Sequence, residues 1–216
     1  RVVHGGHAGD GQQRHHRGRP LRAGRSPWRW RHPSAQPARP GPPPVTGAGL
    51  EAPLQPVLVL VSAAPALGAA ERAVEVFRDR MATRILAYSL NDRQRDQPAA
   101  QIRLATAMAA VGAARAQWEA ALARVERASA GEAPLSLSDR AGIRLAAAST
   151  VRLAREAITT VCEASGASAY AETSPLQRIQ RDVETIKGHV VFDWDRSTEL
   201  VGRVELGLPL RPGDLL

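Results

Sequence analysis

From about Leu54 onward, apolar residues return every three or four positions, the period of a helix with one buried face. Leu67, Ala70, Val74, Phe77, Met81 and Tyr88 form the first such stripe. Pro65 either starts this helix or kinks an earlier turn built from Val57 to Val61, since proline lacks the N–H a helix interior needs. Leu90 to Pro98 is polar and reads as a loop. A second helix, from Pro98 to about Ala128, buries Leu104, Ala107, Val111, Ala114, Trp118, Ala121 and Val125, with Arg115, Glu119 and Arg127 on other faces. After a turn at Ala130 to Pro134, Ser136 with Asp139 three residues later signals a helix start. That third helix runs to about Ala164. It sets Ala147, Val151, Ala154, Ile158 and Val161 opposite a polar stripe of Arg152, Arg155, Glu156, Thr159 and Glu163. Ser165-Gly166 ends it, because glycine tolerates the left-handed cap conformation. A fourth helix begins at Ser174-Pro175. Serine suits the cap, proline suits the first helical position, and Gln177 stands where a capping box needs it. Four amphipathic helices with short connections imply an all-α, up-down four-helix bundle over residues 54–216. The alanine content implies close helix approach.

Residues 1–53 carry neither a period of 2 nor one of 3.6. Eight prolines lie between Pro20 and Pro44, and burial there cannot offset the entropy of ordering. Three origins fit this disordered Arg/Pro/Gly-rich composition. It is a basic arm for nucleic acid, with Trp28 and Trp30 available to stack on bases. It is an inert tail. Or it is GC-rich DNA read out of frame, which yields Arg, Pro, Gly, Ala and His. With CGN arginine codons, Gln12 to Ala23 shifted by one base permits SNDITVDDLFVP, a plausible strand entering a loop. The expected origin is the last, a non-native segment ahead of a domain fragment.

Charge separates the same two regions. The formal net charge of +8 suggests an anionic partner, but residues 1–50 alone hold nine arginines against one acid, Asp10. The remainder holds equal numbers of basic and acidic residues, which argues against nucleic acid or a membrane surface as a partner of the helical part. Cys162 is the only cysteine, so no intrachain disulfide exists and a reducing compartment fits. The apolar run Val57 to Leu67 is too short to span a bilayer, and the N-terminus lacks the order of a signal peptide. The expected location is cytoplasmic.

The densest run of specific residues is GASAYAETSPLQRIQRDVETIKGHVVFD, residues 166–193, followed by ELVGRVELGLP. It resembles the C-terminal domain of the acyl-CoA dehydrogenase fold. It is most similar to the branch of two-component flavin-dependent monooxygenases, of the dibenzothiophene monooxygenase and p-hydroxyphenylacetate hydroxylase type. The similarity is specific at Ser174 to Arg178 and from Arg181-Asp182 through His189. It is compositional over the first two helices. Such proteins have a helical domain, a β-barrel and this bundle, and usually form tetramers. Flavin lies between barrel and bundle, with contacts from a neighbouring subunit. The resemblance therefore implies a fragment of a larger enzyme.

It also implies roles. The histidine matching His189 faces the flavin ring and handles protons. Imidazole suits that task because its ordinary titration range spans neutrality. The bland alternative is a histidine that interacts with carbonyls at a helix C-terminus. Along a continuous fourth helix, Arg178, Arg181, Thr185 and His189 would share one face. Arg84 matches an arginine that pairs with the flavin phosphate, with Arg78, Arg80, Arg93 and Arg95 as nearby alternatives for that role. The turn Gly166-Ala167-Ser168-Ala169 stands where a double glycine approaches the cofactor pyrophosphate. Ser165-Gly166 replaces that pair, and Cys162 replaces a glutamine, which favours flavin held mainly by its phosphate. Arg178, Arg181 and Asp182 read as a structural charge group between helices or subunits. No metal-ligand spacing, phosphate loop or nucleophile–base pair occurs.

Two departures narrow the chemistry. Ile186 stands where some relatives carry a second histidine. Gly188-His189-Val190 stands where dehydrogenases often carry the glutamate that removes an α-proton. The resemblance thus implies a monooxygenase using reduced FMN or FAD from a flavin reductase to hydroxylate a small aromatic, sulfur or amine substrate. The alternatives are an acyl-CoA dehydrogenase acting on a thioester and a catalytically silent helical oligomerisation module. DNA sequencing upstream of the Leu54 codon is expected to reveal a frame change; one intact frame through residues 1–53 excludes that origin.

Overall fold

The computed structural model describes residues 54–87, 89–214 and 216. The expectations for residues 1–53 and for Tyr88 lie outside the described residues. Five α-helices follow one another: α1 (Leu54–Thr83), α2 (Pro98–Ser129), α3 (Leu137–Ser165), α4 (Pro175–Lys187) and α5 (Trp194–Glu205). No strand occurs among the described residues; Ile85 and Arg93 form an isolated antiparallel bridge.

Pairs across the helices give their directions. The Trp118 Nε1–H donates to the Leu60 carbonyl at 2.9 Å, and Arg115 pairs with Glu71. Arg103 pairs with Glu163. Early α1 thus meets late α2, and early α2 meets late α3, so the first three helices alternate up, down, up. Cys162 of α3 faces Leu176 of α4, and Arg155 meets Glu184 further along at 2.6 Å. Arg152 stacks over the Trp194 ring at 4.2 Å, and Ser138 donates to Glu205 at 2.8 Å. Both α4 and α5 therefore run antiparallel to α3. They lie in tandem, α4 along its C-terminal half and α5 along its N-terminal half. The fourth position of the bundle is filled by two helices where the sequence suggested one.

The break between them has local causes. Gly188 closes α4, with its N–H on the Thr185 carbonyl. A short 3-10 turn, Val190–Phe192, follows. Asp193 then caps α5 by accepting the Arg196 N–H at 2.9 Å. His189 therefore sits in the break and not on the face of a continuous helix. At the start of α4, Ser174 takes extended backbone but its hydroxyl makes no cap bond, so the expected capping box is absent there. The fixed φ of Pro175 sets that start. The Ser136–Asp139 capping box of α3 is complete in both directions.

The core lies around α3. Ala141, Ala147, Ala148, Ala154 and Ala157 are all buried on it, together with Ile143, Val151, Ile158 and Val161. Small side chains on several faces let α1, α2, α4 and α5 approach it from different sides. Phe77 of α1 is fully buried in this core, a contribution of about 1.5–3 kcal/mol. Pro65 lies inside α1 and starts no new helix. By length and composition α1 could cross a membrane, yet Leu60, Ala63, Ala66, Leu67 and Ala70 are spent on the bundle.

Arg178, Arg181 and Asp182 are exposed, and their side chains form no ion pair among the described residues. The charge link between α3 and α4 is instead Arg155–Glu184–Lys187. Cys162 is fully buried, and burial pushes its thiol up to about 11, with Glu163 adding to the effect. The unfolded thiol ionises near 8.5 while the folded one keeps its proton, so rising pH favours the unfolded chain between those values. Stability is expected to fall there by up to about 1.4 kcal/mol per pH unit relative to Cys162→Ala, as read by urea denaturation of both proteins.

Candidate cofactor turn and histidine cleft

Two clusters stand out, at different levels of α3. The first is at its C-terminus, where the last carbonyls need partners from outside the helix. Gly166 takes φ 68° and ψ −169°, a region essentially reserved for glycine, and its N–H returns to the Glu163 carbonyl. The Gln94 side chain donates to the Ala164 carbonyl at 2.9 Å, and Arg84 Nη1 donates to the Ser165 carbonyl at 2.5 Å. The bridge between Ile85 and Arg93 brings these two donors to one place: the Gln94 N–H bonds the Arg84 carbonyl at 2.9 Å. Asn91, at φ 70°, turns the loop between them.

Arg80, one turn before Arg84 on α1, donates to the Ser168 hydroxyl. Arg84 and the turn Gly166, Ala167 and Ser168, two separate readings of the sequence, therefore form one cluster. Arg80, one of the alternatives to Arg84, joins it, and the structure adds Gln94. Gln94 is 5% exposed, and its Oε1 is buried without a hydrogen-bond partner among the described residues. Burial holds the Arg80 guanidinium below its ordinary range, and the charge of Arg84 adds to the effect. The cluster thus concentrates positive charge at a turn of small residues. One face of Arg84 is spent on α3, while Ser168, Ala167 and Arg80 border solvent. This donor set fits a phosphate group, which suits oriented guanidinium forks.

The second cluster is a cleft of about 430 Å³ beside the α4–α5 break. His189, Val190 and Val191 line it from the break, Leu58 and Ser62 from α1, and Arg144 from α3. Arg196 of α5 also faces it. His189 is exposed, and its Nδ1 accepts the Val191 N–H at 3.3 Å. In the neutral ring that bond places the proton on Nε2. The ring lies 6.0 Å from that of Phe192, tilted by 54°. Arg144 is 8% exposed. Burial holds its guanidinium below the usual range and Arg196 adds to this, against the opposing pull of Asp214 and Asp193. Arg144 has other interactions besides, and it was not singled out from the sequence. Its signal there was faint: one arginine among small residues on an otherwise apolar side of a helix.

The α4–α5 break that carries His189 lies at the level of Arg152 and Arg155, about 20 Å from Ser165 at 1.5 Å per residue along α3. His189 is thus not brought together with the Arg84 turn within one chain.

The family model for the acyl-CoA dehydrogenase C-terminal domain matches residues 60–194. The chain belongs to this family. A pigment production hydroxylase from a Rhodococcus species is 32% identical over 143 residues, covering 66% of this chain and 35% of the relative. The oxygenase subunit HsaA of a flavin-dependent monooxygenase from Mycobacterium tuberculosis is 30% identical over 158 residues, covering 71% and 38%. Among solved structures, XiaF from a Streptomyces species, in complex with FADH2 and glycerol, superposes with a TM-score of 0.69 at 28% identity. That match covers 73% of this chain and 40% of XiaF. This acyl-CoA dehydrogenase C-terminal domain therefore spans less than half the length of the relatives it matches.

Gly166→Ala is expected to destabilise the domain by about 1–3 kcal/mol, because alanine strains at that φ and ψ. Urea denaturation measures the cost. Ala167→Gly, where no positive φ is required, serves as the tolerated comparison.

Proposed function

We propose that this domain is the helical part of a reduced-flavin monooxygenase that hydroxylates a small aromatic, sulfur or amine substrate. The observation that carries the reading is the α4–α5 break. It sets His189, and not a carboxylate, in the wall of the cleft, with Val190 beside it where a dehydrogenase base would stand. No carboxylate lines this cleft among the described residues. An acyl-CoA dehydrogenase needs such a base, so oxygenation is favoured. The relatives' activities, hydroxylase and flavin-dependent monooxygenase, agree.

Each cluster has its own task. Reduced FMN or FAD, when bound, supplies the electrons that activate dioxygen. Arg84, with Gly166, Ala167, Ser168 and Arg80, would hold the flavin phosphate. His189 holds a proton at Nε2 that it can lend to, or recover from, an oxygen in the cleft. The apolar walls from Leu58, Val190 and Val191 exclude water around the organic part of the substrate. Because the two clusters stand about 20 Å apart along α3, they serve different flavins. That favours an assembly, a tetramer as the family resemblance implies, in which each turn completes a neighbour's site. A flavin reductase supplies the reduced cofactor, and the assembly works in the cytoplasm. The 216-residue chain alone acts as a silent helical module.

A chimera tests this. Residues 54–216 replace the matching part of HsaA, and anaerobic titration with reduced flavin establishes that the cofactor site has formed. Reductase-dependent hydroxylation is expected from the chimera and not from the 216-residue chain. His189→Asn should lower hydroxylation about a hundredfold or more while leaving flavin affinity in place. Full activity in that variant, or desaturation of a thioester, would sink the proposal.

A further inference from the structure

Beyond α5 the chain turns back on itself. Gly207 takes φ 67°. Its N–H donates to the Val204 carbonyl at 3.0 Å, and the Leu208 N–H donates to the Arg203 carbonyl at 2.9 Å. This pair of bonds around a left-handed glycine closes the helix and reverses the chain. Residues 208–214 then return beside α5 as a strap, held by two polar grips. Arg203 Nη2 donates to the Pro209 carbonyl at 2.5 Å. Arg211 forks onto Glu199, with Nη1 on Oε2 at 3.0 Å and Nη2 on Oε1. The Arg211 N–H donates to Asp214 at 2.8 Å and closes a tight turn that carries Gly213.

The strap does not pack down. A hollow of about 260 Å³ lies between it and α5, walled by Arg196 and Leu200 on the helix and by Pro212 and Gly213 on the strap. Leu206, Leu208 and Leu210 are exposed, so apolar burial does little to fasten it. Pro209 and Pro212 fix the backbone at two positions and stiffen it. A stiff arm, turned at a glycine and pinned by polar groups over a hollow, can swing. Its far part reaches the cleft: Gly213 shares the lining with His189, and Leu216 lines an adjoining hollow with Val59 and Arg144. A Cβ at Gly213 would meet nothing within 4 Å, so the bare backbone there leaves open space.

We propose that this strap is the adjustable wall of the His189 cleft. The Arg211–Glu199 fork is its clasp, and Gly213 limits the size of ring system the cleft accepts. The role of Gly213 rests on the reading of the cleft as the substrate pocket; the clasp does not. Arg211 is a positioning residue that acts through Gly213. With the fork closed, the wall stands beside His189 with room for an aromatic ring. With the fork open, it withdraws about Gly207.

The test uses the 216-residue chain, with the His189 imidazole resonances assigned by their loss in His189→Asn. Cys162 is fully buried, so Gly213→Cys carries a nitroxide label at one accessible thiol. The label is expected to broaden the His189 resonances. Arg211→Gln should relieve that broadening, and the exchanged pair Arg211→Glu with Glu199→Arg should restore it. Unchanged broadening in Arg211→Gln, or no restoration by the exchanged pair, overturns the clasp. In unlabelled protein, 2-naphthol is expected to shift His189. Gly213→Leu should weaken that binding about tenfold or more, by overfilling the cleft. Gly202→Leu, at an α5 glycine whose Cβ would also meet open space, should leave it intact. Equal naphthol binding in Gly213→Leu overturns the role of Gly213 and leaves the substrate-pocket reading standing. Absence of any naphthol shift at His189 overturns the pocket reading and the role of Gly213 together, whatever the label reports of the clasp.

Discussion

Everything in this domain is arranged around the enclosure of α3. A helix surrounded on several sides cannot spend bulky side chains on every face, and this one uses alanine at 141, 147, 148, 154 and 157. Small residues bring the neighbouring backbones close, and the larger apolar groups, Ile143 and Ile158 among them, fill the remaining space. Enclosure also strips solvent from the helix end. The carbonyls at 163, 164 and 165 must then be satisfied by the protein. Gly166, Gln94 and Arg84 each supply one donor. The candidate cofactor turn is thus first a solution to a capping problem.

The tandem arrangement of α4 and α5 follows from the same helix. Covering the length of α3 with one straight partner would leave no interruption beside its N-terminal half. Splitting that partner at Gly188 introduces an irregular segment against a packed helix, and irregular backbone exposes polar groups where helices cannot. Ligand chemistry gathers at such positions because regular helix surfaces offer few free donors. Here the interruption carries His189, and its flanks carry Val190, Val191 and Arg196. The same split explains why a cleft opens between α1, α3 and α5.

Much of this was legible in the residues. Helical period, the Ser136–Asp139 box and the Ser165-Gly166 stop marked α2 and α3 to within a residue or two, because each end is decided locally. The α4–α5 break was less visible. Val190, Val191 and Phe192 continue an apolar run, and α5 buries only Ser197 and Leu200, too few positions for a periodic signal. The useful clue was Asp193, a cap residue ahead of a short amphipathic stretch. The residues that the resemblance assigns to the cofactor do meet in space, with Arg80 one helical turn from Arg84, but Gln94 joins them through a loop bridge that no local pattern encodes. Arg144 belongs to the cleft because α5 packs along the N-terminal half of α3, which sets Arg144 and Arg196 in one lining.

The two clusters also differ in how the helix field acts on them. The C-terminus of α3 carries partial negative charge, which opposes an incoming phosphate. Arg84, bonded to the Ser165 carbonyl, first neutralises that end. A second guanidinium is then needed before the turn attracts an anion, and Arg80 provides it through its contact with Ser168. Burial, and after it the charge of Arg84, lowers the proton affinity of Arg80, which is the cost of holding that surplus charge in place. A single arginine at this turn would account for a well-capped helix. The pair, held beside a glycine-only conformation, gives this helix end the surplus of positive charge that the proposed phosphate site requires.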